Sequence, residues 1–221
     1  MTRLSMMTLF LVACSDKVGG AGEGSTACST WFPVDQVGAN WEYAYSSVVD
    51  GSYTNVAVGE ELFEGLPAWR VDSDARYTLD GETVTQEIST WYRCTDEGVH
   101  YAGFEIDTTL GGESNWTLTI YDTQPLVVPV EMAVGDTWTT RFLGTRTSSY
   151  DEAESIDMTT TYSVTGAERI TVEAGTFDTL AVAEDMGDTP GEVGIDANYA
   201  AGVGLIQSEL VELLYSSLSH T

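Results

Sequence analysis

The sequence predicts an all-β protein: one curved antiparallel sheet, a half-barrel or flattened barrel of about eight to eleven strands with little helix. Three observations lead there. Apolar and polar residues alternate with period two along most of the body, glycine-containing turn signals separate the alternating runs, and an internal echo suggests two similar halves.

Strand signals follow in chain order. Trp41, Tyr43, Tyr45, Ser47 and Val49 alternate with smaller or polar residues, and Asp50-Gly51 reads as a hairpin signal. Residues 55–63 and 68–79 come next, separated by Gly65-Leu66-Pro67. Asp80-Gly81 turns the chain into 83–94, and Glu97-Gly98 turns it into 99–106, because glycine accepts the positive φ of tight hairpins. In the second half the strand runs are 115–121, 138–143, 155–164, 168–172, 177–184 and 204–215. The last is read as strand, although Leu210, Leu213, Leu214 and Leu218 also fit a helical stripe.

The echo lies at the start of each half. Phe32-Pro33-Val34-Asp35, then Val37-Gly38, then Trp41 matches Val128-Pro129-Val130-Glu131, then Val134-Gly135, then Trp138, with one residue inserted. Each copy reads as a proline-stiffened approach, a glycine turn and a strand opening with a large aromatic that anchors the core.

The N-terminus carries a different signal. Arg3 supplies a positive start, residues 4–12 an apolar run, and Ala13 a small residue directly before Cys14. A run this short cannot span a bilayer, which takes about 20 apolar residues. Leu11-Val12-Ala13-Cys14 resembles the lipobox of bacterial lipoproteins. The resemblance implies that the chain is cut before Cys14, that diacylglycerol is attached to its sulfur and that the new amine is acylated. Several acyl chains, at about 0.8 kcal/mol per buried CH₂, would hold the domain on a membrane almost irreversibly. In such lipoproteins an aspartate directly after the cysteine retains the protein in the inner membrane. Ser15 stands there and Asp16 one place later, so the resemblance implies the outer membrane. Residues 15–26, SDKVGGAGEGST, are too poor in large apolar side chains to fold and read as a flexible tether. The expected organisation is therefore a signal peptide over 1–13, an acylated cysteine and tether over 14–27, and a single all-β domain over 28–221.

Three further stretches carry a resemblance. The 38–41 opening, Val172-Glu173-Ala174-Gly175-Thr176-Phe177, and Tyr199-Ala200-Ala201-Gly202-Val203-Gly204-Leu205 are similar to a loosely defined group of bacterial lipoproteins, which in turn resembles the curved half-barrels of lipoprotein-carrier proteins. These motifs are turn-and-strand signals, so they imply a fold and no activity.

Composition narrows the partners. The chain has 35 acidic residues against 8 basic ones, a net charge of −27. Nucleic acid and anionic lipid surfaces are poor partners for such a field, since each phosphate contact needs a cation. The acids are scattered, which suits a solvated surface. The best acidic loop is Glu184, Asp185, Asp188 and Glu192, where Ca²⁺ is the one cofactor to consider, although the spacing of a calcium loop is missing. Cys28 and Cys94 remain once Cys14 is assigned to lipid. An exported compartment permits disulfides, and the pair is expected to be bonded, removing roughly 4 kcal/mol of unfolded-state freedom.

Catalytic signatures are sparse. No Gly-x-Ser-x-Gly elbow occurs, and the two histidines are the penultimate His220 and His100, which reads as a strand surface or satisfied core residue. Zinc lacks ligands of suitable spacing. Carboxylate pairs are uninformative among 35 acids. Trp41, Tyr43, Tyr45, Trp69, Trp91, Trp116 and Trp138 are the candidate ligand-binding residues, able to line a cleft in a curved sheet, with core filling as their default role. The expectation is a non-enzymatic envelope module that binds an apolar ligand or a partner protein. The alternatives are a structural or surface-display lipoprotein without a ligand pocket and, third, a carboxylate-based hydrolase.

The full chain should fractionate with membranes and carry added acyl mass, and Cys14→Ser should move it to the soluble fraction. Identical fractionation of both forms, with no acyl mass on either, would refute the anchor.

Overall fold

The computed structural model describes Cys28 and residues 30–45, 49–186 and 196–218. The signal peptide, Cys14, the tether, Asp188, Glu192 and His220 lie outside the described residues. Thirteen strands run in chain order: β1 (Asn40–Tyr45), β2 (Asp50–Phe63), β3 (Leu66–Leu79), β4 (Glu82–Cys94), β5 (Gly98–Leu110), β6 (Glu113–Tyr121), β7 (Leu126–Pro129), β8 (Thr137–Ser148), β9 (Glu154–Val172), β10 (Gly175–Asp185), β11 (Ala197–Ala200), β12 (Gly204–Ser208) and β13 (Val211–Ser216). No helix occurs among the described residues.

Of the two predicted forms, a half-barrel or a flattened barrel of about eight to eleven strands, the half-barrel is corrected: the sheet closes, and with twelve strands. Twelve strands pair in the ring β4-β3-β2-β1-β13-β12-β11-β10-β9-β8-β6-β5, and β4–β5 pairing completes it. All pairings are antiparallel, and β7 extends the β6 side of β5 by pairing with Gly98–His100. Closure leaves no unpaired sheet edge, which an open half-barrel would have had to cover.

The ring consists of two six-stranded meanders, β1–β6 and β8–β13, joined head to tail through β1·β13 and β6·β8. The sequence echo is matched bond for bond at their openings. Gly38 N–H donates to Ala57 O at 2.7 Å and Gly135 N–H to Val164 O at 2.9 Å. Ala57 N–H returns to Ala39 O, and Val164 N–H to Asp136 O. Both glycines have positive φ, 83° and 98°, as such turns require. Each meander then breaks register just past that bond, β2 at Ala57/Gly59 and β9 where Val164 and Gly166 face Val182 and Ala181.

Boundaries moved where local chemistry overrode the pattern. Asp50-Gly51 is already strand in β2, and the turn into β3 is Glu64-Gly65. Residues 155–164 and 168–172 fuse into β9 through the bulge near Gly166. The run 204–215 splits into β12 and β13 because Ser208 Oγ accepts from the Leu210 and Val211 N–H groups at 3.2 and 3.3 Å, making a turn.

One end of the barrel is plugged. The segment before β1 crosses it, with Phe32 edge-on to Tyr92 at 5.0 Å, Val34 fully buried, and Gly202 N–H bonded to Thr30 O. The β9–β10 hairpin folds over the same end, its Ala174 N–H reaching Leu213 O. Cys28 and Cys94 are disulfide-bonded there, with Cα atoms 5.2 Å apart, pinning the plug to the end of β4. The outer wall carries ion pairs, Arg141–Asp157 at 2.7 Å and Arg169–Asp178 at 2.7 Å, while the large apolar side chains gather inside.

Because the disulfide closes a 66-residue separation, replacing both cysteines with serine should lower the unfolding free energy by about 2–4 kcal/mol in denaturant titration while strand content is kept. An unchanged denaturation midpoint would show that the plug holds without it.

Candidate functional site

Cross-strand partners share a face of the sheet, so the register identifies the barrel interior. Near the plug it is packed solid: Trp41, Tyr43, Leu205 and Leu213 are fully buried, and Tyr43 O–H donates to Leu205 O at 3.3 Å. Twelve strands enclose a wider space than the eight whose side chains just fill a barrel. Farther from the plug the filling thins. On β5, β6 and β9 the inward partners Ile106↔Thr117, Phe142↔Met158 and Gly144↔Ile156 place Ile106, Thr117, Met158 and Ile156 inside, yet each is only half-buried. These side chains point into the barrel and still meet solvent. Arg146 pairs with Glu154 at 3.1 Å on the same inward register, at the open rim.

A chain of aromatic rings runs through the interior. Tyr92 and Tyr101 stack at 5.2 Å, Tyr101 approaches Tyr121 at 5.9 Å, and Tyr121 meets Phe142 edge-on at 5.4 Å. Trp138 stacks on Tyr162 at 5.1 Å across the β8–β9 ladder, and Tyr162 is in turn paired with Glu184 on β10. Tyr101 O–H donates to Tyr92, and Tyr162 O–H donates to the Glu184 carboxylate. Burial pushes the phenols of Tyr43, Tyr53, Tyr92, Tyr101, Tyr162 and Tyr199 well above the ordinary tyrosine range, and the Glu184 charge adds to this for Tyr162 and Tyr199. Tyr45, nearer the open end beside Tyr77, is pushed up to about 12 by burial.

The sequence-predicted residues divide between the two faces. Trp41 and Tyr43 are core and show no surface to a ligand; Tyr45, Trp69 and Trp138 face inward and are half-buried. Trp91 lies on the outer face, stacked on Phe63 at 4.4 Å with its Nε1–H donated to Glu61 Oε1 at 2.6 Å. Trp116 is 37 % exposed on the outer side of β6. Glu184 and Asp185 point to opposite faces of β10, Asp188 and Glu192 lie outside the described residues, and no group of three His, Cys, Asp or Glu side chains gathers among the described residues. His100 is buried, its Nδ1–H donating to Gln124 O at 2.8 Å and its Nε2 lying 3.0 Å from Thr95 Oγ1. Sequence reasoning passed over Tyr53, Tyr92, Tyr101, Tyr121, Tyr162 and Tyr199. The available signal was their number, 11 tyrosines against 6 tryptophans, most inside strand runs.

No family model matches the chain, and no curated protein matches it. Among solved structures it is similar to a crystal structure of a Parabacteroides distasonis ATCC 8503 protein thought to be a lipoprotein, at 16% identity over 86% of this chain and 99% of that one, with a TM-score of 0.39. A likeness that slight carries no argument, and the site is judged on its own geometry.

The raised phenols make a pH prediction. Each ionises more readily unfolded than folded, so their contribution to stability is whole below pH 10.0, the ordinary tyrosine value, and is lost as pH rises through the folded values, Tyr45 at about 12 being the lowest given. Denaturation midpoints should hold up to about pH 9 and fall above 10, and phenolate absorbance of the folded protein should lag that of the unfolded chain. Coincident folded and unfolded titrations would contradict the buried tyrosine wall.

Proposed function

We propose that this chain is a lipoprotein of the cell envelope, held at the outer membrane through acylated Cys14, whose barrel is a non-enzymatic binding module for an apolar ligand. The observation that carries the ligand reading is the set of half-buried inward side chains, Ile106, Ile156 and Met158 beside the Tyr101–Tyr121–Phe142 aromatic wall. A hydrophobic, concave lining with a few oriented hydroxyls is the ordinary form of a small-molecule site. The lipobox and the glycine-rich tether supply the anchor, and the cysteine pair bonded at the plugged end suits an oxidising compartment. A non-enzymatic role is supported by His100, whose two ring nitrogens are occupied by backbone and threonine oxygen. A structural or display role draws on a different observation, the solid packing around Trp41, Tyr43 and Leu213.

The test uses the full chain carrying Cys14→Ser, which needs no detergent, with 1-N-phenylnaphthylamine as fluorescent probe. Saturable binding at one probe per chain is expected, weakened about tenfold or more by Met158→Arg, which puts a charge on the cavity wall. Absence of saturable binding would favour the scaffold reading.

A further inference from the structure

The plugged end carries apolar side chains that the core does not use. Val37, in the segment that crosses this end, is 65 % exposed, and at the tip of the β2–β3 hairpin Leu62 and Leu66 are 72 % and 48 % exposed. Val58, also exposed, sits in the β2 bulge beside Gly59, and the Val37 side chain packs at that same glycine. The hairpin tip is held next to the disulfide: Arg93 Nη2 donates to the Phe63 carbonyl at 3.2 Å, and the following residue, Cys94, is bonded to Cys28. None of these four aliphatic side chains belongs to a buried cluster. Exposed apolar groups gathered at one place mark a contact surface.

The same end is where the chain arriving from Cys14 meets the barrel. Residues 15–27 separate Cys14 from Cys28 and reach at most about 50 Å when fully extended. A bilayer that holds Cys14 is therefore kept close to the plugged end, and a tether this short makes weak contacts effective by raising the local concentration of their partner. The open end also exposes apolar residues, Leu110, Trp116 and Tyr150, but lies at the far ends of the strands from Cys28.

We propose that the plugged end rests on the bilayer that holds Cys14, with Val37, Val58, Leu62 and Leu66 in its interfacial layer and the open rim turned to water. The proposal rests on the reading of Cys14 as acylated and adds the orientation of the barrel, which that reading leaves open. Glu60, Glu61 and Glu64 in the same hairpin keep the tip among the headgroups, because a carboxylate is not carried into hydrocarbon. Glu61 is already engaged, accepting from the Trp91 indole at 2.6 Å and lying 3.7 Å from Arg70. The acids also select the surface: with a net charge of −27 the protein is repelled by anionic lipid, so the fitting partner is a zwitterionic bilayer.

Hydrogen exchange read by mass spectrometry compares the acylated chain in phosphatidylcholine vesicles with the soluble full chain carrying Cys14→Ser. Amides of 35–38 and 62–66 should exchange about fivefold or more slowly on the vesicles, while those of 110–113 and 148–152 stay unchanged. Phosphatidylglycerol vesicles should protect less, the more so at low salt. Leu62→Asp combined with Leu66→Asp, at two exposed positions, should abolish the protection and leave exchange within the strands as in the parent, which also reports that the barrel is folded. Identical exchange on and off vesicles, protection of 110–113 instead, or protection that survives the double variant would overturn the proposal, while acyl mass on Cys14 would leave the anchor standing. Protection on native membranes but not on pure lipid would overturn it in favour of a protein partner. A chain without acyl mass removes the anchor reading alone: Cys14, the cysteine outside the disulfide, is then coupled to a maleimide lipid in the same vesicles, and the same pattern of protection decides the docking.

Discussion

Closure of the sheet is the constraint on which the rest of this protein depends. Once β4 pairs with β5, every strand of the ring has a neighbour on each side, and backbone hydrogen bonding is satisfied without a covering helix. Closure at twelve strands also sets the interior volume. The plug, the β9–β10 hairpin and the large aromatics fill the space at one end, and toward the other several inward side chains are half-buried. The chemistry of the interior is left to whichever residues occupy the inward register.

Two meanders of the same length solve the closure problem symmetrically. Each begins with a glycine turn bonded across to the next strand, sends a tryptophan inward, and bends at a bulge one step later. The bulges let long hairpins curl and the ring shut. Symmetry of the backbone does not extend to the lining: where one half places asparagine and serine, the other places tyrosine and glutamate. Structure is carried by the repeated positions and chemical character by the unmatched ones.

Much of the fold was legible in the residues. Period-two alternation marked β1 to β6 and β8 to β10 near their observed places, because a sheet with one wet and one dry face imposes that pattern. It failed where a strand is too short to alternate, as in β7 and β11, each of four residues, and where a turn is made by a side chain, as at Ser208. The split of the aromatic set has the same origin. Trp91 and Tyr92 are adjacent and both buried, but they serve opposite faces, because Phe63 folds over Gly103 on the outside and gives Trp91 a dry surface there. Nothing local distinguishes a tryptophan buried inside a barrel from one buried on its wall.

The sequence by itself determined the strand class, the two similar openings, the cysteine pair and the acidic field, since each is a property of spacing or count. Only the tertiary structure decided that the sheet closes, that the tyrosines converge, and that Glu184 faces inward while Asp185 faces out. Those outcomes depend on register between strands far apart in the chain, and a shift of one residue would reverse every side chain.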